Sequence, residues 1–194
     1  MPTREYGAAV YFAYKDGQAR KARLDGCSHE LITTTPTVNR IHEGVLFKYK
    51  EGFALNNASR NYLIRPPKSN KLCHFTFYVS GSQDTAYYFR ENSGYDPGTK
   101  CYLFNADRYS KNTPETEINI AAGGAGAPTT LLSGRFGIAA LSGGRGGGAG
   151  GISDSGEQLI LSKEYKYCLT VTALSANVNN ITVSFEWFEC VPLY

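Results

Sequence analysis

The chain has 194 residues, 42% of them hydrophobic, and a formal net charge of +3. That length suits one large domain, or one domain with an appendage, and allows a substantial core without disulfide or metal staples. The composition excludes a disordered chain; the charge is small, no dense Lys/Arg block exists, and the single short basic cluster, Arg20-Lys21-Ala22-Arg23, reads as a solvated strand end or turn, with nucleic-acid or membrane contact as the alternative.

In chain order the sequence predicts strands and no amphipathic helix. Ala8–Tyr14 is apolar and aromatic, and Val45–Tyr49 follows a Glu43-Gly44 turn. Asn61–Arg65 stops at Pro66-Pro67, which cannot extend a ladder. Leu72–Ser80 alternates through Cys73, Phe75, Phe77 and Val79. In Thr85–Arg90 the neighbours Tyr87 and Tyr88 must face opposite ways, one to the core and one to the surface. Asp96-Pro97-Gly98 reads as a tight turn. Lys100–Phe104, Thr116–Ile120 and Gln158–Ser162 are shorter strand-like runs.

The strongest signal comes last. Tyr165–Leu174 and Ile181–Glu189 read as an antiparallel hairpin, with Asn177, Asn179 and Asn180 supplying turn chemistry between them. Ile181, Val183, Phe185 and Trp187 fall on one side and Thr182, Ser184 and Glu186 on the other, the mark of a half-buried strand. Glu186 and Glu189 are expected to face solvent. Many short strands separated by Gly, Pro, Asn and Asp predict an all-β antiparallel β-sandwich.

Two regions break the rhythm. Residues 1–30 read as an N-terminal extension carrying at least one strand, with the β-sandwich domain spanning 31–194. Residues 121–156 read as a long Gly-rich loop, densest around Arg145. Gly146-x-Gly148-x-x-Gly151 matches a dinucleotide fingerprint in letters only, because Ile152-Ser153-Asp154-Ser155-Gly156 follows where a helix is required.

No catalytic constellation emerges. His29, His42 and His74 lack metal spacing, and His42-Glu43 is expected to shape the turn before Val45. The five cysteines, Cys27, Cys73, Cys101, Cys168 and Cys190, form no C-x-x-C pair and read as reduced structural thiols. No enzyme activity, cofactor or metal is therefore expected. No apolar run approaches the roughly 20 residues that cross a bilayer, and the N-terminus lacks a signal peptide's apolar core. A soluble protein made in the cytoplasm is expected, with no membrane or nucleic-acid partner. The aromatics Tyr6, Tyr11, Phe12 and Tyr14 in the extension are candidates for an interface or a sugar-binding face.

From about Thr37 onward the chain resembles the head-decoration proteins of tailed bacteriophages, also called cement or stapling proteins. The resemblance rests on an ordered series. It runs through Ile41-His42-Glu43-Gly44 with Phe47, Asn61–Pro67, Lys71–Ser80, Thr85–Asn92, Asn105–Ser110 and the Gly-rich tract. It ends with Glu157–Leu161, Tyr165–Leu174 and Ile181–Glu189. It implies a jelly-roll-like sandwich on the outer surface of a capsid, bound to the phage major capsid protein and bridging its subunits. A virion location and a homodimer or homotrimer follow as expectations, with Tyr6, Tyr11, Phe12, Tyr14 and Arg145 as interface candidates. Jelly rolls also serve as lectins, so a carbohydrate-binding module is the alternative.

Overall fold

The computed structural model describes residues 11–13, 19–21, 40–122, 130–138, 149–151 and 158–191. The chain divides into two units between Asn39 and Arg40. In the first, β1 (Tyr11–Ala13) pairs antiparallel with β2 (Ala19–Lys21), setting Tyr11 opposite Lys21 and Phe12 opposite Arg20.

The second unit is a β-sandwich. Its strands are β3 (Leu46–Leu55), β4 (Ser59–Arg65), β5 (Leu72–Gly81), β6 (Thr85–Glu91), β7 (Pro97–Lys100) and β8 (Phe104–Asn105). They continue with β9 (Glu117–Ala121), β10 (Thr130–Ile138), β11 (Ala149–Gly151), β12 (Leu159–Leu161), β13 (Tyr167–Ala173) and β14 (Asn179–Cys190). One sheet has the order β10-β6-β13-β4-β9-β7 and the other β11-β5-β14-β3-β8, with β12 also on β5. All pairings are antiparallel.

The pairs β3·β14, β4·β13, β5·β11 and β6·β10 nest inside one another and alternate between the sheets. A long hairpin rolled up in this way is a jelly roll. Strands β7 to β9 are an excursion inserted between its outgoing and returning halves.

The core lies between the sheets. From one side come Phe75, Phe77, Val79, Ile181, Val183, Phe185 and Trp187, and from the other Tyr62, Ile64, Phe89, Leu169 and Val171. The rings interlock, with Phe75 stacked on Phe89 and Phe185 edge-on to Tyr62. Burying each aliphatic or Phe side chain stabilises the fold by about 1.5–3 kcal/mol. Cys73 and Cys168 are fully buried and, with Cys101 and Cys190, unbridged. Burial pushes the Cys73 thiol up to about 12. Tyr87 is the inward member of its pair and Tyr88 the partly exposed one.

Four expectations need correction. The terminal runs do not form a hairpin: β13 lies between β4 and β6, and β14 lies between β3 and β5 in the other sheet. Residues 174–178 cross the sandwich, a gap of about 10 Å that five extended residues span easily. The Gly-rich region is not one loop, since β10 and β11 supply an edge strand to each sheet. In β11, Ala-Gly-Gly, there is almost no side chain to alternate, and in β10 two register shifts interrupt the period of two. At Gly134 a Cβ would press on the ring of Tyr88, its register partner. Lys100–Phe104 is not a strand, because Cys101–Leu103 passes from β7 in one sheet to β8 in the other. Asp96-Pro97-Gly98 is no tight turn either: Pro97 opens β7, an edge strand whose register shifts between Pro97 and Thr99, and edges are where proline is tolerated.

Candidate functional site

Two buried polar residues stand at opposite ends of β14, and each anchors a loop. Asn179 is fully buried, accepting from the Gln83 amide at 3.0 Å and bonding the Thr85 hydroxyl at 2.9 Å. It therefore belongs to the strand and braces the turn between β5 and β6. Glu189 is 3% exposed, against the expectation that it faces solvent. Its carboxylate accepts the Glu115 amide at 3.0 Å, the Thr116 amide at 2.9 Å and the Trp187 indole N–H at 3.2 Å. Both residues have the parity of Ile181 and Trp187. The alternation that sends those side chains inward sends Asn179 and Glu189 inward as well. Glu186 is partly exposed and pairs with Lys48 at 2.7 Å.

Glu189 clamps the end of the excursion from Cys101 to Thr116. The rest of that segment is braced by its own short polar side chains. Asn105 Oδ1 accepts from the Asp107 amide, Asp107 Oδ1 from the Tyr109 amide, and Ser110 Oγ from the Asn112 amide. These consecutive side-chain turns replace the missing ladder bonds. The Asn105 and Asn112 side-chain amides both donate to the Gly44 carbonyl. Gly44 has φ +65°, and a Cβ there would collide with the Ser110 hydroxyl. His42 and Glu43 are exposed beside this turn.

The braced loop holds two tyrosines in solvent, Tyr102 at 81% and Tyr109 at 98% exposure. Neither carries any signal in sequence, because their exposure follows from how Asn105, Asp107 and Glu189 route the chain. Around the loop base, shallow depressions share walls at Glu115. The largest, about 650 Å³, lies between Arg65, Pro66 and Lys68 after β4 and the Lys163–Lys166 turn before β13.

A second polar cluster sits where β3 meets β4. Glu51 accepts from the Tyr49 and Tyr62 hydroxyls at 2.7 and 2.8 Å and from the Arg60 guanidinium at 2.7 Å. Burial opposes ionisation of Glu51, but these three donors outweigh it and hold its carboxyl below the usual carboxylate range. The cluster is fully paired and reads as a core seal. On the outer face of the sheet that holds β5 and β14, the Phe188 ring is stacked on His74 at 4.1 Å and capped by Arg40 at 3.5 Å. Burial and then the Arg40 charge push the His74 imidazole down, favouring its neutral form.

Of the interface candidates, Tyr6, Tyr14 and Arg145 lie outside the described residues. Tyr11 and Phe12 lie on β1, and their side chains are likewise outside the description. His29 and Cys27 are outside it too. Among the described residues no three His, Cys, Asp or Glu side chains gather as a metal site, and no helix is long and apolar enough to cross a membrane. Comparison of the chain with family models, curated proteins and solved structures finds no match.

Proposed function

We propose that this chain is a structural virion protein that binds the outer surface of a phage capsid, bridges neighbouring capsid subunits and stabilises the shell. The observation that carries the reading is the order of the resembling segments. Asn61–Pro67, Lys71–Ser80, Thr85–Asn92, Tyr165–Leu174 and Ile181–Glu189 carry β4, β5, β6, β13 and β14 of the roll in order, Ile41–Gly44 is the helical turn that leads into β3, and Asn105–Ser110 lies in the excursion between the two halves. Asn105–Ser110 is the braced loop that carries Tyr109 into solvent.

The physical mechanism is linkage. A protein that binds the assembled shell but not free subunits stabilises the shell by mass action. Weak contacts suffice when a closed homodimer or homotrimer engages several sites at once. The N-terminal extension, with Tyr6, Tyr11, Phe12 and Tyr14, and the glycine-rich stretch around Arg145 are the proposed contacts to capsid or sister copies. The decisive experiment is purification of intact phage heads: the protein is expected at a fixed ratio to the major capsid protein. Its absence from heads overturns the reading. Deleting residues 1–30 is expected to lower head occupancy or oligomerisation while the sandwich stays folded.

The alternative, a carbohydrate-binding module, draws support from the exposure of Tyr102 and Tyr109, since tyrosine faces stack on sugar rings. Saturable binding in a glycan screen, lost in Tyr109→Ala, would favour it.

A further inference from the structure

The depression beside Arg65 is a cleft whose walls come from distant parts of the chain. Arg65 ends β4, Pro66 and Lys68 follow it, and Lys163, Glu164, Tyr165 and Lys166 form the turn into β13. Glu115 and Glu117 complete the lining. The turn is held in place before any partner arrives. The Ser162 amide donates to the Tyr167 hydroxyl at 2.8 Å, and the Tyr165 amide to the Ser162 carbonyl at 3.3 Å. The Ser93 amide donates to the Lys166 carbonyl at 2.9 Å. Tyr165 is therefore presented, 44% exposed, on a braced turn between two lysines.

The charges in the cleft are unevenly satisfied. Glu115 is engaged by Lys71 at 2.6 Å. Arg65 reaches Glu117 only loosely, at 3.7 Å, and its buried Nε has no hydrogen-bond partner. Lys68, Lys163 and Lys166 form no ion pair with a described carboxylate. The cleft thus offers three lysines without an ion pair among the described residues, an aromatic face and a proline wall, and of its three carboxylates Glu115 and Glu117 already face cations.

We infer that this cleft is a docking site for an acidic segment of a partner protein, whose carboxylates bridge Lys68, Lys163 and Lys166 while an apolar side chain packs on Tyr165 and Pro66. A protein fits better than a nucleic acid. Glu115, Glu117 and Glu164 interrupt the basic lining; they would repel a continuous phosphate track but leave room for separate carboxylates. Arginine and tyrosine are also the side chains that dominate protein–protein contacts. The inference does not depend on the capsid reading, because it concerns the charge of the partner and not the particle that carries it.

The test is a chemical-shift titration of the isotopically labelled full chain with an acetylated hexaglutamate peptide at low salt. Saturable shifts are expected at Lys68 and across residues 162–167, weakening as ionic strength rises. In Lys163→Glu/Lys166→Glu the apparent affinity should fall by about tenfold or more, because attraction becomes repulsion. Both lysines are exposed, so an unchanged melting temperature is expected, and Lys163→Ala/Lys166→Ala serves as a milder second variant. Shifts scattered over the surface, binding that survives both variants, no saturable shift, or tighter binding of an oligothymidylate of equal charge would each overturn the inference.

Discussion

Replacing Glu189 by alanine removes the acceptor for three N–H groups at once, those of Glu115, Thr116 and the Trp187 indole. Each buried donor left unpaired costs about 1–3 kcal/mol. Trp187 is 1% exposed, so its indole N–H stays sealed from water and bears the full cost. Glu115 is exposed, and by peeling outward the loop can partly hydrate its amide and that of Thr116. With the indole counted in full and the two amides half relieved, the loss is about 2–6 kcal/mol. At about 3 °C per kcal/mol for a domain of this size, the melting temperature should fall by roughly 6–18 °C. The assay is thermal unfolding followed by tryptophan fluorescence, and the chain's one tryptophan is Trp187 itself. Limited proteolysis should find new cleavage between Cys101 and Thr116. Glu189→Gln keeps one carbonyl acceptor and should lose about half as much. An alanine variant that melts within about 2 °C of the parent, with its loop equally resistant, would refute the clamp.

Two further predictions concern the core and its seal. Val183→Asp places an unpaired carboxylate at a fully buried position and is expected to abolish folding; a soluble, cooperatively melting variant would contradict the assignment of faces. Glu51 has a folded pKa below its unfolded value of about 4.3. Its contribution is therefore complete above that value and is lost as pH falls through the folded pKa. Glu51→Gln should lower stability at neutral pH by about 1–3 kcal/mol and flatten the acid limb of the stability curve. An acid limb identical to the parent's would count against the cluster.

The strands with alternating side chains were legible because burial on one face writes a period of two into the sequence. Leu72–Gly81 and the inward row Ile181, Val183, Phe185 and Trp187 follow directly from it. Period alone does not say which sheet a strand joins, and for that reason β13 and β14 read as a hairpin. β11, Ala-Gly-Gly, was hidden because it has almost no side chains to alternate, and β10 because register shifts between Leu131 and Ser133 and between Arg135 and Ile138 break its period of two. Glu189 and Asn179 were legible in principle, since their parity points inward, but charge and turn propensity argued the other way. The cleft could not be read at all: Arg65 and Lys163 are brought together only by the pairing of β4 with β9 and β13.

The position of β14 also bears on how the chain reaches this state. It separates β3 from β5, so the two strands that flank it are made first and have no ladder between them until it arrives. At roughly 5–20 residues per second of synthesis, β3 waits on the order of ten seconds for its partner. During that interval Phe47, Phe75, Phe77 and Val79 lack the strand that joins their sheet, and the bare edges of β3 and β5 can pair with other chains. A nascent chain of this topology depends on chaperone cover or low local concentration in a way a sandwich of local hairpins does not. Destabilising the last strand should therefore reduce soluble yield more than its effect on equilibrium stability alone would suggest.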